Sequence, residues 1–355
     1  MNEHQKQFLT RLLDEPAPSG HEEPVQAIWK QEVSKFCKDI TKDPHGNLTA
    51  TLSSGRERGG TTGTERSIMI VGHSDEIGLI VNFINDEGFI YFRNVGGVDP
   101  AILDSQRVRI ITRNGVVHGA IGKTSIHLET KTDEKKPPKM HEVWIDIGAK
   151  DKKDAEKYVT VGDPVVFGEN FQQLIGDNAI ARCWDNRVGV FVVAEVLRNL
   201  SKVKKLDKSV YGVSSTQEET GVWSARHAAY IKKPTLAIAI DVMPSTDNPG
   251  ITKEKWGDTK VGKGPVISRG VRTSSKIADN LISIAKKKKI PYQVDVDAGY
   301  TFTDADPISQ VREGIPIGVV SLATRYLHSS VELLNLNDVD QTIELLTQFI
   351  VNEKV

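Results

Sequence analysis

Residues 68–78 read IMIVGHSDEIG: an unbroken apolar run from Ile68 to Val71, then Gly72, then His73, Asp75 and Glu76. A short apolar run bounded by glycine predicts a buried strand. In an open α/β sheet, ligand and catalytic groups gather beyond the carboxyl ends of the strands. This stretch therefore predicts both the fold class and the edge of the sheet at which chemistry occurs.

Working outward, the flanking parts of the chain alternate helix and strand. Residues 22–35, 186–200, 273–289, 305–313 and 337–353 carry helical spacing, and the N-terminal MNEHQKQFLTRLLDEPAPSG (1–20) reads as a short amphipathic helix with Phe8, Leu9, Leu12 and Leu13 on its apolar side. Strands are expected at 47–52, 67–72, 209–216, 235–240, 292–297 and 316–322. Such alternation predicts an α/β fold, a mixed central sheet with helices on both faces.

The middle of the chain follows a different rule. GLIVNFI-NDEG-FIYFR (78–93) and RVRIIT-RNG-VVHGAIG (107–122) are strand pairs with turn residues between them, followed by EVWIDIG (142–148) and DPVVFG (163–168). The chain is thus expected to divide into an α/β domain made of residues 1–76 and 177–355 and an inserted all-β domain of residues 77–176. Residues 53–66, SSGRERGGTTGTER, read as a mobile loop between two outer strands, and residues 130–139, TKTDEKKPPK, as a charged loop inside the insert.

Composition narrows the function. The 355 residues carry 46 basic and 47 acidic side chains, a formal net charge of −1, so no overall field draws the protein to nucleic acid or to anionic lipid. The one basic block, Lys286 to Lys289, closes a predicted helix, where cations suit the dipole. Cys37 and Cys183 are too few for a disulfide framework, and no stretch reaches the roughly 20 apolar residues of a membrane span. A cytoplasmic protein with no membrane and no nucleic-acid partner is expected.

The strand ends supply the candidate site: His73 and Asp75 after 68–72, Glu218 and Glu219 after 209–216, Asp241 after 235–240 and His328 after 316–322, with Asp185 opening the helix at 186–200. Imidazoles and carboxylates from separate strands suit divalent cations such as zinc or cobalt. Each has a plainer reading on its own: Asp185 as a helix N-cap, the Glu pair as solvated loop. Adjacent glutamates allow one to bind metal while its neighbour accepts a proton.

GHSDEIG, CWDNRVG, QEETG, AIDV, GKGPVISRG, TDA (303–305) and RYLHS, in order over almost the whole chain, resemble the M42 family of dinuclear metallo-aminopeptidases, which includes the glutamyl and tetrahedral aminopeptidases. The resemblance implies a zinc-peptidase-like α/β domain and two divalent ions per subunit. His73 and Asp241 would hold one ion, Glu219 and His328 the other, with Asp185 bridging, Glu218 as general base and Asp75 orienting His73. Glu76 would serve local structure. The resemblance further implies peptide substrates, a PDZ-like insert that mediates dimerisation, and dimers assembled into a tetrahedral dodecamer. Two runs depart from the family pattern: GVWSARHAA (221–229) stands where a Gly-x-Arg-Gly-Ala run is common, and TSIH (124–127) where Pro-Pro-His is.

Other functions compete. A carboxypeptidase or N-acyl amino acid deacylase would use the same metal chemistry, an endoglucanase would use two carboxylates and no metal, and a scaffold would have lost catalysis. The preferred N-terminal residue is not set by spacing; Arg226, Arg269 and Arg325 are the cations near site motifs that could meet an acidic side chain.

Overall fold

The computed structural model describes residues 1–53, 66–125, 127–128, 137–168 and 171–353. The loop read at 53–66 lies almost wholly outside these residues, as does most of the one at 130–139.

The chain opens with α1 (Glu3–Asp14), α2 (Glu23–Val33), β1 (Asp39–Lys42), β2 (Leu48–Leu52) and β3 (Ser67–His73). The insert follows: β4 (Gly78–Ile84), β5 (Ile90–Val95), β6 (Arg107–Thr112), β7 (Gly115–Gly122), β8 (Trp144–Asp146), α3 (Lys152–Ala155) and β9 (Pro164–Phe167). A hairpin of β10 (Gln172–Gln173) and β11 (Asn178–Ala181) leads back to α4 (Trp184–Leu200), β12 (Ser209–Ser215), α5 (Ala225–Lys232) and β13 (Leu236–Pro244). The chain ends with α6 (Lys253–Trp256), β14 (Val266–Ser268), α7 (Ser275–Lys288), β15 (Gln293–Asp295), α8 (Ala305–Ser309), β16 (Ile317–Thr324), β17 (Glu332–Asn335) and α9 (Leu336–Asn352).

Eight strands form the central sheet in the order β1-β2-β12-β3-β13-β16-β14-β15. Its inner strands β12, β3, β13 and β16 are parallel, and antiparallel pairs lie towards the edges. Alternation along β3 explains the two covered faces. Ile68 and Ile70 join the large core beneath α1, α2, α4, α7 and α9, whereas Met69 and Val71 point into a smaller core under α5 and α8. The insert closes as an antiparallel barrel, β4-β5-β8-β7-β6-β9, around its own apolar core, which includes Leu79, Phe92, Val108 and Ile145. Among the described residues no helix is long and apolar enough to cross a membrane.

Several elements differ from the sequence reading. The helix expected at 305–313 ends at Ser309, the strand expected at 292–297 spans only Gln293–Asp295 at the sheet edge, and α5 and β17 were not anticipated. Residues 178–181, inside a stretch read as a polar turn, pair with β17 across the register Ala181↔Glu332. Cys37 and Cys183 are buried and unpaired, and Lys286 to Lys289 are exposed at the end of α7.

Glu76 ties the N-terminal segment to the strand end that carries the site. Its carboxylate accepts the Ala17 N–H and pairs with Arg182 and Arg187, all of it buried. The two guanidiniums donate onward to the carbonyls of Leu12, Leu13, Glu15 and Ala17 at and just beyond the end of α1. Buried charges persist only where paired and hydrogen-bonded in this way. The local structural role expected of Glu76 is the one its contacts describe.

Candidate metal centre

The polar groups converge at the carboxyl edge of the parallel strands. β3 ends in His73 and β13 carries Asp241; Glu218 and Glu219 follow β12, and His328 follows β16. Asp185 arrives from the first turn of α4, because α4 lies directly against β3. A Cβ on Gly72 would sit 2.7 Å from the backbone carbon of Gly189, so only glycine permits this approach. Asn186, not Asp185, caps the helix: its Oδ1 accepts the Gly189 N–H. The Asp185 carboxylate is left to face the histidines.

Asp185 spans the site. Its Oδ1 lies 3.0 Å from His73 Nε2 and its Oδ2 3.2 Å from His328 Nε2. Around His73 Nε2 stand Glu218 Oε2 at 3.7 Å and Asp241 Oδ1 at 3.8 Å, and Glu219 Oε2 is 3.6 Å from His328 Nε2. Two overlapping groups have ligand atoms within 4.8 Å of one another: His73, Asp185 and Glu219, and His73, Glu218 and Asp241. Both imidazoles have the opposite nitrogen engaged. His73 Nδ1 is 3.2 Å from the Asp75 carbonyl and 3.4 Å from its Oδ1, and His328 Nδ1 is 3.0 Å from the Gly97 carbonyl. A carbonyl only accepts, so each Nδ1 carries a proton and each Nε2 is turned towards the carboxylates of the site; against its burial, Glu218, Asp185 and Asp75 raise the proton affinity of His73, and Asp185 raises that of His328.

The electrostatics call for positive charge. Burial pushes Glu218 well above the usual carboxylate range, with Asp241, Asp304 and Asp185 adding to it against the pull of His73. Burial and neighbouring carboxylates raise Glu219 and Asp241 likewise, and Asp304 is pushed up to about 6, chiefly by burial. Asp185 goes the other way: burial alone would raise it, but hydrogen bonds from His328 and His73 hold it below the ordinary range. These carboxylates outnumber the two imidazoles and cannot all ionise together without cations among them. The Oε1 atom of Glu219 is buried with no hydrogen-bond partner, as a ligand atom for a metal ion would be. The donor set of imidazole nitrogens and carboxylate oxygens fits divalent cations such as zinc.

The profile of the M42 glutamyl aminopeptidases matches residues 55–345. The chain belongs to the M42 family. It is an aminopeptidase of that family, a peptide hydrolase. A lysyl aminopeptidase of Pyrococcus furiosus is 30% identical over 345 residues, 96% of this chain and 94% of that protein. An aminopeptidase of the archaeon Desulfurococcus kamchatkensis superposes with a TM-score of 0.89 at 34% identity, covering 99% of this chain and 96% of that one. The Pyrococcus horikoshii TET1 peptidase, which can assemble into a tetrahedron or a large octahedral shell, superposes with a TM-score of 0.85 at 32% identity over 98% of this chain and 100% of that one.

Three residues of this M42 site were not singled out from the sequence. Glu332 is buried and accepts the backbone N–H of both Asp185 and His328, at 3.0 and 2.9 Å. Ser19 donates to Asp75 Oδ2 at 2.6 Å. Asp304 accepts from Ser215 at the end of β12. The sequence signals were slight: Glu332 stands four places after His328 between two predicted elements, Ser19 follows the N-terminal helix, and Asp304 sits inside TDA (303–305). Asp75 has more partners than His73 alone, since its two oxygens also accept the N–H groups of Glu218 and Glu219, each at 3.1 Å.

The three arginines divide. Arg325 forms a two-pronged pair with Asp247 and Arg269 pairs with Asp279. Arg226 has no carboxylate partner among the described residues. It lines a cavity of about 700 Å³ together with Trp223, His227, Tyr230, Tyr300 and Arg312. The run that departs from the M42 pattern at 221–229 thus supplies much of a cavity wall that begins two residues beyond Glu219.

Proposed function

We propose that this M42 aminopeptidase removes residues from the free N-termini of peptides with two divalent cations, zinc or cobalt, one held by His73 and Asp241 and the other by Glu219 and His328, with Asp185 between them. The observation that carries this reading is the placement of Asp185, whose two oxygens address the Nε2 atoms of both histidines. When bound, such cations acidify water and stabilise the negative charge that develops on the scissile carbonyl oxygen.

The chain's own residues supply the rest. Glu218, buried with its Oε2 near His73 Nε2, takes the proton of the attacking water and passes it to the leaving amine. Burial, with Asp241, Asp304 and Asp185 nearby, raises its proton affinity, as suits a carboxylate that holds a proton between those two steps. Asp75 fixes the backbone of the Glu pair and the ring of His73, and Glu332 fixes Asp185 and His328.

The relatives differ in name between glutamyl and lysyl specificity. Among the candidate arginines, Arg226 is the one still available to an acidic group, since Arg269 and Arg325 are spent on Asp279 and Asp247. We further take residues 77–176 as a PDZ-like dimerisation domain set into a catalytic domain of residues 1–76 and 177–355. Its dimers would assemble into a tetrahedral dodecamer like those of the TET peptidases, in the cytoplasm.

Native mass spectrometry of the purified protein, stripped with chelator and titrated with zinc, reads ions per chain and subunits per particle together. The expected result is two ions per chain in a particle of twelve. Saturation at one ion or none contradicts the metal assignment, and a monomer contradicts the assembly.

A further inference from the structure

We infer that the inserted barrel is part of the metal centre: the Gly97 carbonyl, just beyond β5, is a positioning group that fixes the ring of His328. The inference rests on the two-cation reading and goes beyond it by giving the barrel a role in the chemistry.

The two histidines are oriented by different means. His73 is held from within its own strand end, by the carbonyl of Asp75 two residues on. The ring of His328 is held from 231 residues away, by Gly97. His328 itself sits on left-handed backbone, φ 59°, on an irregular segment after β16, with its N–H held by Glu332. Its ring is partly exposed, so the immediate surroundings do not lock it. The contact with Gly97 supplies the missing constraint and selects the tautomer that turns Nε2 towards Asp185 and Glu219.

The fit is close enough to require glycine. A Cβ on Gly97 would lie 2.7 Å from His328 Nδ1 and 3.0 Å from Cε1. Gly97 is not among the residues with positive φ, so the ring alone excludes a side chain there. Its neighbour Gly96 packs beside the other end of the same ligand pair, where a Cβ would come 3.3 Å from Glu219 Cβ. The connection between β5 and β6 therefore lies against both Glu219 and His328, and a shift of the barrel moves the ring of His328.

The test is Gly97→Ala, compared with Gly119→Ala, which crowds Ile145 and the Asp146 carbonyl inside the barrel, away from the site. Zinc titrations by calorimetry should show the ion held by His328 and Glu219 bound about 10- to 100-fold more weakly in G97A. The other ion should bind with unchanged affinity, and both should be unchanged in G119A. Equal weakening in both variants, or none in G97A while the wild type takes two ions, overturns the inference and leaves the two-cation reading standing. A wild type that takes fewer than two ions removes that reading itself. Should G97A fail to fold, hydrogen exchange of the wild type decides: zinc should slow exchange of the backbone amides at 94–103, and unchanged exchange there overturns the inference.

Discussion

Glu218→Gln should keep both zinc ions and lose about 100- to 10,000-fold in turnover, the usual cost of removing a general base. The substitution preserves shape and removes only the capacity to take a proton. It also separates two roles that the geometry allows. Glu218 Oε2 stands 3.7 Å from His73 Nε2, close to Asp241, in a group that could itself hold an ion. If Glu218 were chiefly a ligand, the Gln variant would lose metal together with activity. Metal content near two ions per chain with turnover nearly abolished assigns it as the base, whereas full activity in the Gln variant contradicts that role.

Asp185→Asn should abolish high-affinity binding of both ions. Asp185 faces both imidazoles, with one oxygen 3.0 Å from His73 Nε2 and the other 3.2 Å from His328 Nε2. Thermal unfolding with and without zinc provides the measurement. At a concentration of about 100 times the wild-type Kd, each zinc site stabilises the folded state by roughly 2.7 kcal/mol. A variant whose affinity has fallen about 100-fold gains only about 0.4 kcal/mol per site from the same zinc. Unchanged zinc stabilisation in D185N would show that the two sites do not share this residue.

Much of this molecule was legible from its apolar runs. Ile68 to Val71 and Leu236 to Ile240 are strands buried on both faces, and burial on both faces leaves a pattern that composition alone reveals. The candidate ligands were legible for a related reason: each follows such a strand or opens a buried helix, where a polar side chain is conspicuous. What the sequence concealed are groups whose role comes from long-range placement. Glu332 matters because β17 pairs with β11 and so brings its carboxylate beside Asp185, a contact between residues 147 positions apart. Gly97 acts through a carbonyl that every residue possesses. Residues 305–313 lost half of their expected helix because the apolar spacing of Ile308, Val311 and Ile315 continues beyond the last helical turn, and Val311 and Ile315 fill the small core from irregular backbone.

The central claim, metal-dependent removal of residues from free N-termini, is tested most directly by mass-spectrometric product analysis of a mixed peptide pool, half of it N-acetylated, incubated with the zinc- or cobalt-loaded protein with and without chelator. The account predicts stepwise loss of single residues from the unblocked peptides alone, abolished by chelator, with the residues released first reporting the specificity. Cleavage of the acetylated peptides, or cleavage that persists in chelator, would contradict it.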